Sequence, residues 1–333
     1  MAHDSTATHS PIRSAQAPIA ALDVGSNTVH VVVAQPDAAG ADLRVLADEV
    51  ELVRLGADVA LSGAIGPERM ARALAAIARQ AAIARDHGAS AILGLATEGV
   101  RAAANGAELL RRARDETGVA LALISGEQEA ALTYWGAASG LPTAARAAVV
   151  DLGGGSLELV LGESERVLWR VSLPLGSGAI HDRLAPADPP DPAQLAAAER
   201  HVAAALATLD PPLPAPAAAA TGGTATTLAA LAHRALPDAA GEPGISGLPN
   251  LTEALLAELL ALPLRLPAAD VARQYGVDEA RARLLGAGAV ILRAALRRLG
   301  ADRLRVSRRG VREGAILAHQ RHGADWLAAA ARG

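Results

Sequence analysis

The chain has no cysteine, no lysine and no phenylalanine, and only 2% of its 333 residues are aromatic. Each absence removes a class of chemistry. Without cysteine there is no disulfide, thiol nucleophile or thiolate zinc site. Without lysine there is no P-loop and no Schiff-base catalysis of the pyridoxal or aldolase kind. Two tyrosines and three tryptophans leave little material to stack on a nucleotide base. No G-x-S-x-G or H-E-x-x-H motif is present to suggest a serine hydrolase or a zinc protease. No apolar run reaches the length of a membrane span, so no membrane partner is expected. Met1–Pro18 is polar and lacks an apolar h-region, which reads as a disordered lead on a cytoplasmic chain. The net charge of −4 predicts no nucleic-acid partner; a polyanion would have to be met by local arginines, which supply all 31 basic residues.

What is present is an apolar half: 51% hydrophobic, mostly Ala, Leu and Val, in a chain long enough for two domains and a sizeable core. The most informative stretch is Val149–Leu161, VVDLGGGSLELVL. It reads as strand, tight turn, strand. Three glycines in a row have no side chains to pack, so the backbone can approach something closely and its amides can bind an anion. Asp151 stands at the mouth of the turn and Glu158 just beyond it. Anion-binding amides beside carboxylates suggest a phosphate that arrives with Mg²⁺.

Ile19–Gln35 repeats the pattern: an apolar run, Asp23, a Gly25-Ser26-Asn27-Thr28 turn, then a second apolar run interrupted by His30. The two Asp-x-Gly hairpins lie 128 positions apart. A duplicated half, each copy carrying one phosphate loop, explains this economically; the plainer alternative is two hairpins whose glycines only turn the chain.

Between and after the hairpins the pattern alternates strand and helix, the signature of an α/β fold. Leu43–Leu55 reads as a further strand pair. A helix is predicted over 67–87, opened by Pro67 and stopped by Gly88. Ala91–Ala96 reads as a buried strand, followed by a helix carrying Ala102–Asn105 and another over 106–117. Val119–Ile124 is a strand leading to Ser125, which can cap a helix with Gln128 as its box partner. In the second half, strand Val167–Ser172, a helix over 193–208, strand Ala217–Ala220, a helix over 225–235 and a loop over 237–250 follow in turn. Helices over 253–261, 268–274 and 278–299, strand Leu304–Val306 and a helix over 311–322 complete the reading. The boundary between the halves is placed near Leu141–Arg146.

Seven stretches together resemble the exopolyphosphatase / guanosine pentaphosphate phosphohydrolase family: LDVGSNTVH (22–30), ATEGVRAAAN (96–105), ISGEQEA (124–130), VDLGGGSLEL (150–159), LPLG (173–176), TGGT (221–224) and GVREG (310–314). They span the chain in the family's order. The resemblance implies two actin-like (ribonuclease H-like) domains of mixed sheet flanked by helices, an α/β fold with its active site in the interdomain cleft. The bounds expected are a lead at 1–17, domain I at 18–142 and domain II at 143–333, the short two-domain form of the family, with a last helix that packs back on domain I. The implied activity is Mg²⁺-dependent removal of terminal phosphate from inorganic polyphosphate. Guanosine pentaphosphate hydrolysis stays open as an alternative, as do a superfamily kinase and a non-catalytic alarmone or phosphate sensor. Oligomeric state also stays open, a homodimer included. Three departures stand out: Glu98-Gly99 where the family often has Ser-Ala, Gln128 for the first of a Glu-Glu pair, and Ser177–Ile180 in place of a Val-Arg-Leu-like stretch.

The resemblance assigns Glu129 to orienting and deprotonating the attacking water, and Arg101 to the scissile phosphate. Asp151, with Asp23 and Glu158, would hold Mg²⁺. Gly25, Ser26, Asn27 and Thr28 form one phosphate loop, Gly153, Gly154, Gly155 and Ser156 the other, and Gly222, Gly223 and Thr224 add amides at a helix N-terminus. Eight arginines fall between 293 and 312; of these Arg308, Arg309 and Arg312 are expected to meet the trailing polyanion. His30 reads as a packing or loop-orienting residue.

Overall fold

The computed structural model describes residues 16–37, 42–139, 141, 146–210, 217–241, 243–244 and 246–332. The expected lead through residue 15, most of the boundary segment and the proline-rich 211–216 lie outside the described residues.

Eleven strands are described: β1 (Ile19–Val24), β2 (Thr28–Pro36), β3 (Leu43–Leu52), β4 (Ala91–Ala96), β5 (Leu121–Leu123), β6 (Arg146–Leu152), β7 (Leu157–Glu163), β8 (Arg166–Leu173), β9 (Ala217–Thr221), β10 (Leu251–Thr252) and β11 (Arg303–Val306). They form two mixed sheets, ordered β3-β2-β1-β4-β5 and β10-β11-β9-β6-β7-β8. In each sheet an antiparallel meander (β1-β2-β3, or β6-β7-β8) is extended from its first strand by parallel neighbours. The two sheets therefore share one topology, with β10 as an added edge strand. The duplication inferred from the two hairpins extends to the whole sheet.

Central strands are apolar on both faces because helices cover both. β1 is buried at five of its six positions. β9, four alanines and a threonine, is a strand despite alanine's helix preference. It lies between β6 and β11, where only small side chains fit between the covering helices.

Helix Gly126–Ala138 sits between the two sheets. One side (Ala131, Leu132) joins the core on the first sheet with Val32 and Leu95. The other side (Ala130, Tyr134, Ala137) packs on Val149 and Val160 of the second. Its alanines and Gly136 allow this double burial, and Ser125 fixes its start by the expected capping box. Helix Val311–His322 crosses it at very short range. A Cβ on Gly314 would stand 1.7 Å from the Leu132 carbonyl oxygen, and one on Gly136 2.0 Å from that of Gly310. That second helix and helix Trp326–Arg332 close the outer face of the first sheet through Ile316, Leu317, Trp326 and Ala330. Among the described residues no helix is long and apolar enough to cross a membrane.

Several element readings need correction. Leu43–Leu55 is one strand followed by helix Leu55–Ser62, not a strand pair. The helix after β4 is Glu98–Arg101, one turn earlier than expected, because Thr97 takes the N-cap place. Helix Ser177–Leu184 and the short Pro237–Ala240 had no sequence mark. The helix expected over 278–299 breaks into Glu279–Ala282 and Leu285–Leu299.

Candidate active site

Both hairpin turns are held the same way. Each closes with one amide: Gly25 to the Thr28 carbonyl at 2.9 Å, and Gly153 to that of Ser156 at 3.1 Å. Each then has its carbonyls tied off by the chain at the start of a helix behind it. Val53 and Arg54 amides both donate to Asn27 O at 2.8 Å, and Gly56 to Ser26 O at 2.8 Å, ahead of and within helix Leu55–Ser62. Ser177 donates to Gly153 O at 2.9 Å, Ala179 to Gly154 O at 2.9 Å and Gly176 to Gly155 O at 3.1 Å, at the head of helix Ser177–Leu184. With their carbonyls engaged, the amides of Ser26, Asn27, Gly154 and Gly155 donate to no carbonyl among the described residues. That is the arrangement an anion-binding nest requires. The Thr221–Thr224 turn completes the set at the N-terminus of helix Gly223–Ala235. Gly222 has φ +94° there, and a Cβ would come 2.5 Å from the Leu152 carbonyl oxygen.

All three turns line one cavity of about 240 Å³. Its wall also carries Asp23, Glu129, Asp151 and Glu158 on one side of the charge balance, and Arg54, Arg281, Arg308 and Arg312 on the other. Among the described residues that line it there is no Trp or Tyr.

Two buried acids, Glu129 and Glu158, and two half-buried ones, Asp23 and Asp151, share one space and oppose each other's ionisation. Burial pushes Asp23 up to about 6, and Asp151 adds to the push while Arg312 resists it. Asp151 is raised by burial, against a hydrogen bond from the Thr133 hydroxyl at 2.9 Å and the Arg312 charge. Burial and the Asp151 charge push Glu158 up to about 8, although Ser172 donates to it at 2.7 Å. Glu129 is raised well above the usual range by burial and by Glu158, Asp23 and Asp151, with Arg101 the opposing charge. Asp23 Oδ1 and Glu129 Oε2 are buried with no hydrogen-bond partner. Glu129 therefore feels the charge of all three other acids, and its Oε2 accepts no hydrogen bond, with the Arg101 guanidinium 3.7 Å away.

The structure brings most of the expected residues together. Glu129, the three acids assigned to the metal, all eleven loop residues, Arg308 and Arg312 line the cavity. Two do not reach it. Arg101 stands behind the wall, donating to Ile124 O at 2.5 Å and Glu98 at 2.6 Å, with Glu129 Oε2 at 3.7 Å. Arg309 turns away to Asp42, Ser139 and the Leu43 carbonyl. Nor do the eight arginines act as one patch. Arg293 and Arg297 pair with Glu199 and Glu253, and Arg298 caps the Leu206 and Leu209 carbonyls.

Sequence reasoning gave no role to Arg54, Thr97, Glu98 and Arg281, which share the wall. Thr133 was also passed over, although its i+4 spacing from Glu129 places both on one helix face, a signal available from the chain alone.

The acids offer hard oxygen donors, which suit Mg²⁺ and not a soft-ligand metal. Asp23, Asp151 and Glu158 do not, however, converge as a closed trio. Among the described residues no three His, Asp or Glu side chains gather tightly enough to hold a metal by themselves. The fit is to a cation that takes one or two carboxylates and finds its remaining ligands in water and phosphate oxygens.

Residues 32–322 match the Ppx/GppA phosphatase family. The chain belongs to that family. It is 34% identical to exopolyphosphatase 1 of Mycobacterium tuberculosis over 297 residues, 89% of this chain and 86% of the relative. It is 31% identical to exopolyphosphatase 2 of the same organism over 311 residues, 90% and 97% of the two chains. The crystal structure of the Aquifex aeolicus Ppx/GppA family member superposes with a TM-score of 0.75 at 26% identity, covering 92% of this chain and 99% of that one. An exopolyphosphatase from Cytophaga hutchinsonii superposes at 0.78 with 22% identity over 90% and 96%, which speaks for the shared fold. As a Ppx/GppA member the protein is a phosphatase, and the Ppx/GppA fold is the two-sheet architecture expected from the motifs.

Proposed function

We propose that the protein is an exopolyphosphatase that removes terminal phosphate from inorganic polyphosphate in a Mg²⁺-dependent reaction. The observation that carries this reading is Glu129: buried beside three other acids, with an oxygen that accepts no hydrogen bond, on the wall that all three glycine turns share. The turn amides receive the oxygens of the terminal phosphates. Glu129 takes a proton from a water as that oxygen bonds to the terminal phosphorus, and the bridging oxygen leaves with its electron pair on the shortened chain. Once deprotonated, a carboxylate whose pKa is raised is the stronger base. Arg101 behind the wall holds Glu129 in place and opposes the upward shift. Asp23 and Asp151 are the acids that would hold Mg²⁺, which when bound offsets phosphate charge and draws protons from the acids around it. A wall with arginines and without Trp or Tyr suits a chain of phosphates better than a nucleotide base.

Phosphate release from long-chain polyphosphate, tripolyphosphate and guanosine pentaphosphate, each with and without Mg²⁺, tests the reading. Polyphosphate is expected to be the fastest substrate and Mg²⁺ to be required. Glu129→Gln is expected to fold normally and to lose about 10²–10⁴-fold in turnover, the range of general-base catalysis. Near-native turnover by that variant, or faster release from guanosine pentaphosphate, overturns the reading.

A further inference from the structure

Among the described residues, two that are not glycine have positive φ, Arg54 and Ser164. Ser164 lies in the turn that joins β7 to β8, where such a conformation closes a hairpin. Arg54 closes no hairpin. It holds φ 54°, ψ 46° between β3 and helix Leu55–Ser62, a conformation costly for any residue with a Cβ and free for glycine. Its backbone explains why the conformation is kept. The amide donates to Asn27 O at 2.8 Å beside that of Val53, and Arg69 donates to the Arg54 carbonyl at 2.8 Å. The left-handed bend thus clamps the first turn. None of this needs a side chain, and glycine would serve the backbone with less strain.

The side chain nonetheless lines the cavity. Among the described residues its one acidic partner is Asp182 on helix Ser177–Leu184, at 3.4 Å, with both groups about a third exposed. An exposed pair that long is weak. The other arginines of the wall differ: Arg312 has Asp23 at 3.6 Å, Arg281 donates to the Gly223 carbonyl at 3.2 Å, and Arg308, on the turn after β11, has no ion pair among the described residues. Arg54 alone is set beside the first turn, on a fixed bend, with a partner it can release.

We propose that Arg54 determines specificity for chain-like polyanions. Its guanidinium leaves Asp182 to engage the phosphates that trail from the site, and its strained backbone fixes where that contact is made. The proposal rests on the exopolyphosphatase reading for its substrate and on geometry for its residue.

The test uses Arg54→Gly, Arg54→Lys and Asp182→Asn in the full chain. Arg54→Gly relieves the strain, so its melting temperature without ligand is expected to equal or exceed that of the native protein. Its KM for long-chain polyphosphate is expected to rise about tenfold with kcat within twofold, and the thermal stabilisation by tripolyphosphate to shrink. Arg54→Lys is expected to recover part of both losses, because a charge remains without the planar fork. Asp182→Asn frees Arg54 from its competitor, so its KM is expected to stay level or fall. A native KM in Arg54→Gly overturns the proposal, as does a rise in KM for Asp182→Asn matching that of Arg54→Gly, since the pair would then act only as a strut. If the native protein releases no phosphate yet tripolyphosphate stabilises it through Arg54, the exopolyphosphatase reading fails and this one stands. If tripolyphosphate stabilises neither protein, this proposal fails.

Discussion

The two hairpins have the same turn closure and the same aspartate, but different residues across the ladder. Asp23 faces His30, and Asp151 faces Glu158. On the first hairpin the imidazole bonds to Asp48, and the aspartate has Arg312 at 3.6 Å. On the second, the opposite residue is an acid bonded to Ser172, and the aspartate is held by the Thr133 hydroxyl, with no cation at ion-pair distance among the described residues. Duplication supplied two equal cradles; substitution at one ladder position made one of them nearly neutral and the other rich in negative charge. The second hairpin is the side on which a cation has most to offset.

The sharpest way to break this comparison is at the aspartates. Asp151→Asn is expected to lower phosphate release by about 100-fold and Asp23→Asn by about 10-fold, the two ends of the range for groups that orient a metal site. Asp23 loses less because Arg312 already shares its charge. Turnover measured over a Mg²⁺ series decides it, and equal losses would mean that the two cradles are chemically equivalent after all.

Next in size are the glycines that press on each turn. A Cβ on Gly99 would lie 2.6 Å from Ser26 Cα, and one on Gly176 2.4 Å from the Gly154 carbonyl group. Gly99→Ala and Gly176→Ala are each expected to cost about 1–3 kcal/mol by overpacking and to raise KM. Urea denaturation and initial rates measure both. A variant that keeps native stability would show that its turn gives way under pressure.

The ladder partners also differ in how they titrate. Burial pushes His30 down to about 4, and it pushes Asp23 up to about 6. A raised acid keeps in the fold a proton that the unfolded chain releases, so stability falls as pH rises through that window. A lowered histidine does the opposite. On the first hairpin the two slopes oppose. Glu158, raised to about 8, has no such counterweight. Metal-free protein is therefore expected to lose stability on the order of 1 kcal/mol as pH rises from about 6.5 to 8. Glu158→Gln should flatten the fall, also because Glu158 is the largest charge acting on Glu129. Denaturation in chelator across that range reads it out; an unchanged slope in the variant assigns the titration elsewhere.

The smallest effect separates neighbouring arginines. Arg309→Ala is expected to leave KM for polyphosphate unchanged and to cost about 0–1 kcal/mol, since its guanidinium makes one exposed ion pair, with Asp42, and two long bonds to Ser139 and the Leu43 carbonyl. Arg308→Ala, on the cavity wall, is expected to raise KM and to lower its salt dependence. Steady-state kinetics over a salt series compares the two.

What could be read from the chain was local. Glycine turns flanked by apolar runs, the Ser125 and Gln128 box and Pro67 at a helix start act within a few residues, and each element formed where expected. The misses depended on distant partners. Arg309 and Arg308 are adjacent in sequence, yet one leaves for Asp42, 267 positions away, and the other faces the cavity. Arg101 follows a strand end inside a motif, but Glu98 and the Ile124 carbonyl draw it behind the wall. Arg54 gave no warning of its left-handed backbone because only glycine and asparagine advertise one. The break at 283–284 lies in an unbroken helix-favouring run, so composition could not mark it.

The glycine contacts between helices Gly126–Ala138 and Val311–His322 bear on how the cavity can move. With carbonyl oxygens where side chains would otherwise be, the pair has no slack to slide or tilt, and it carries Glu129 on one member and Arg312 on the other. Any breathing of the cavity must therefore pivot about this welded pair, which leaves the spacing between Glu129 and Arg312 untouched.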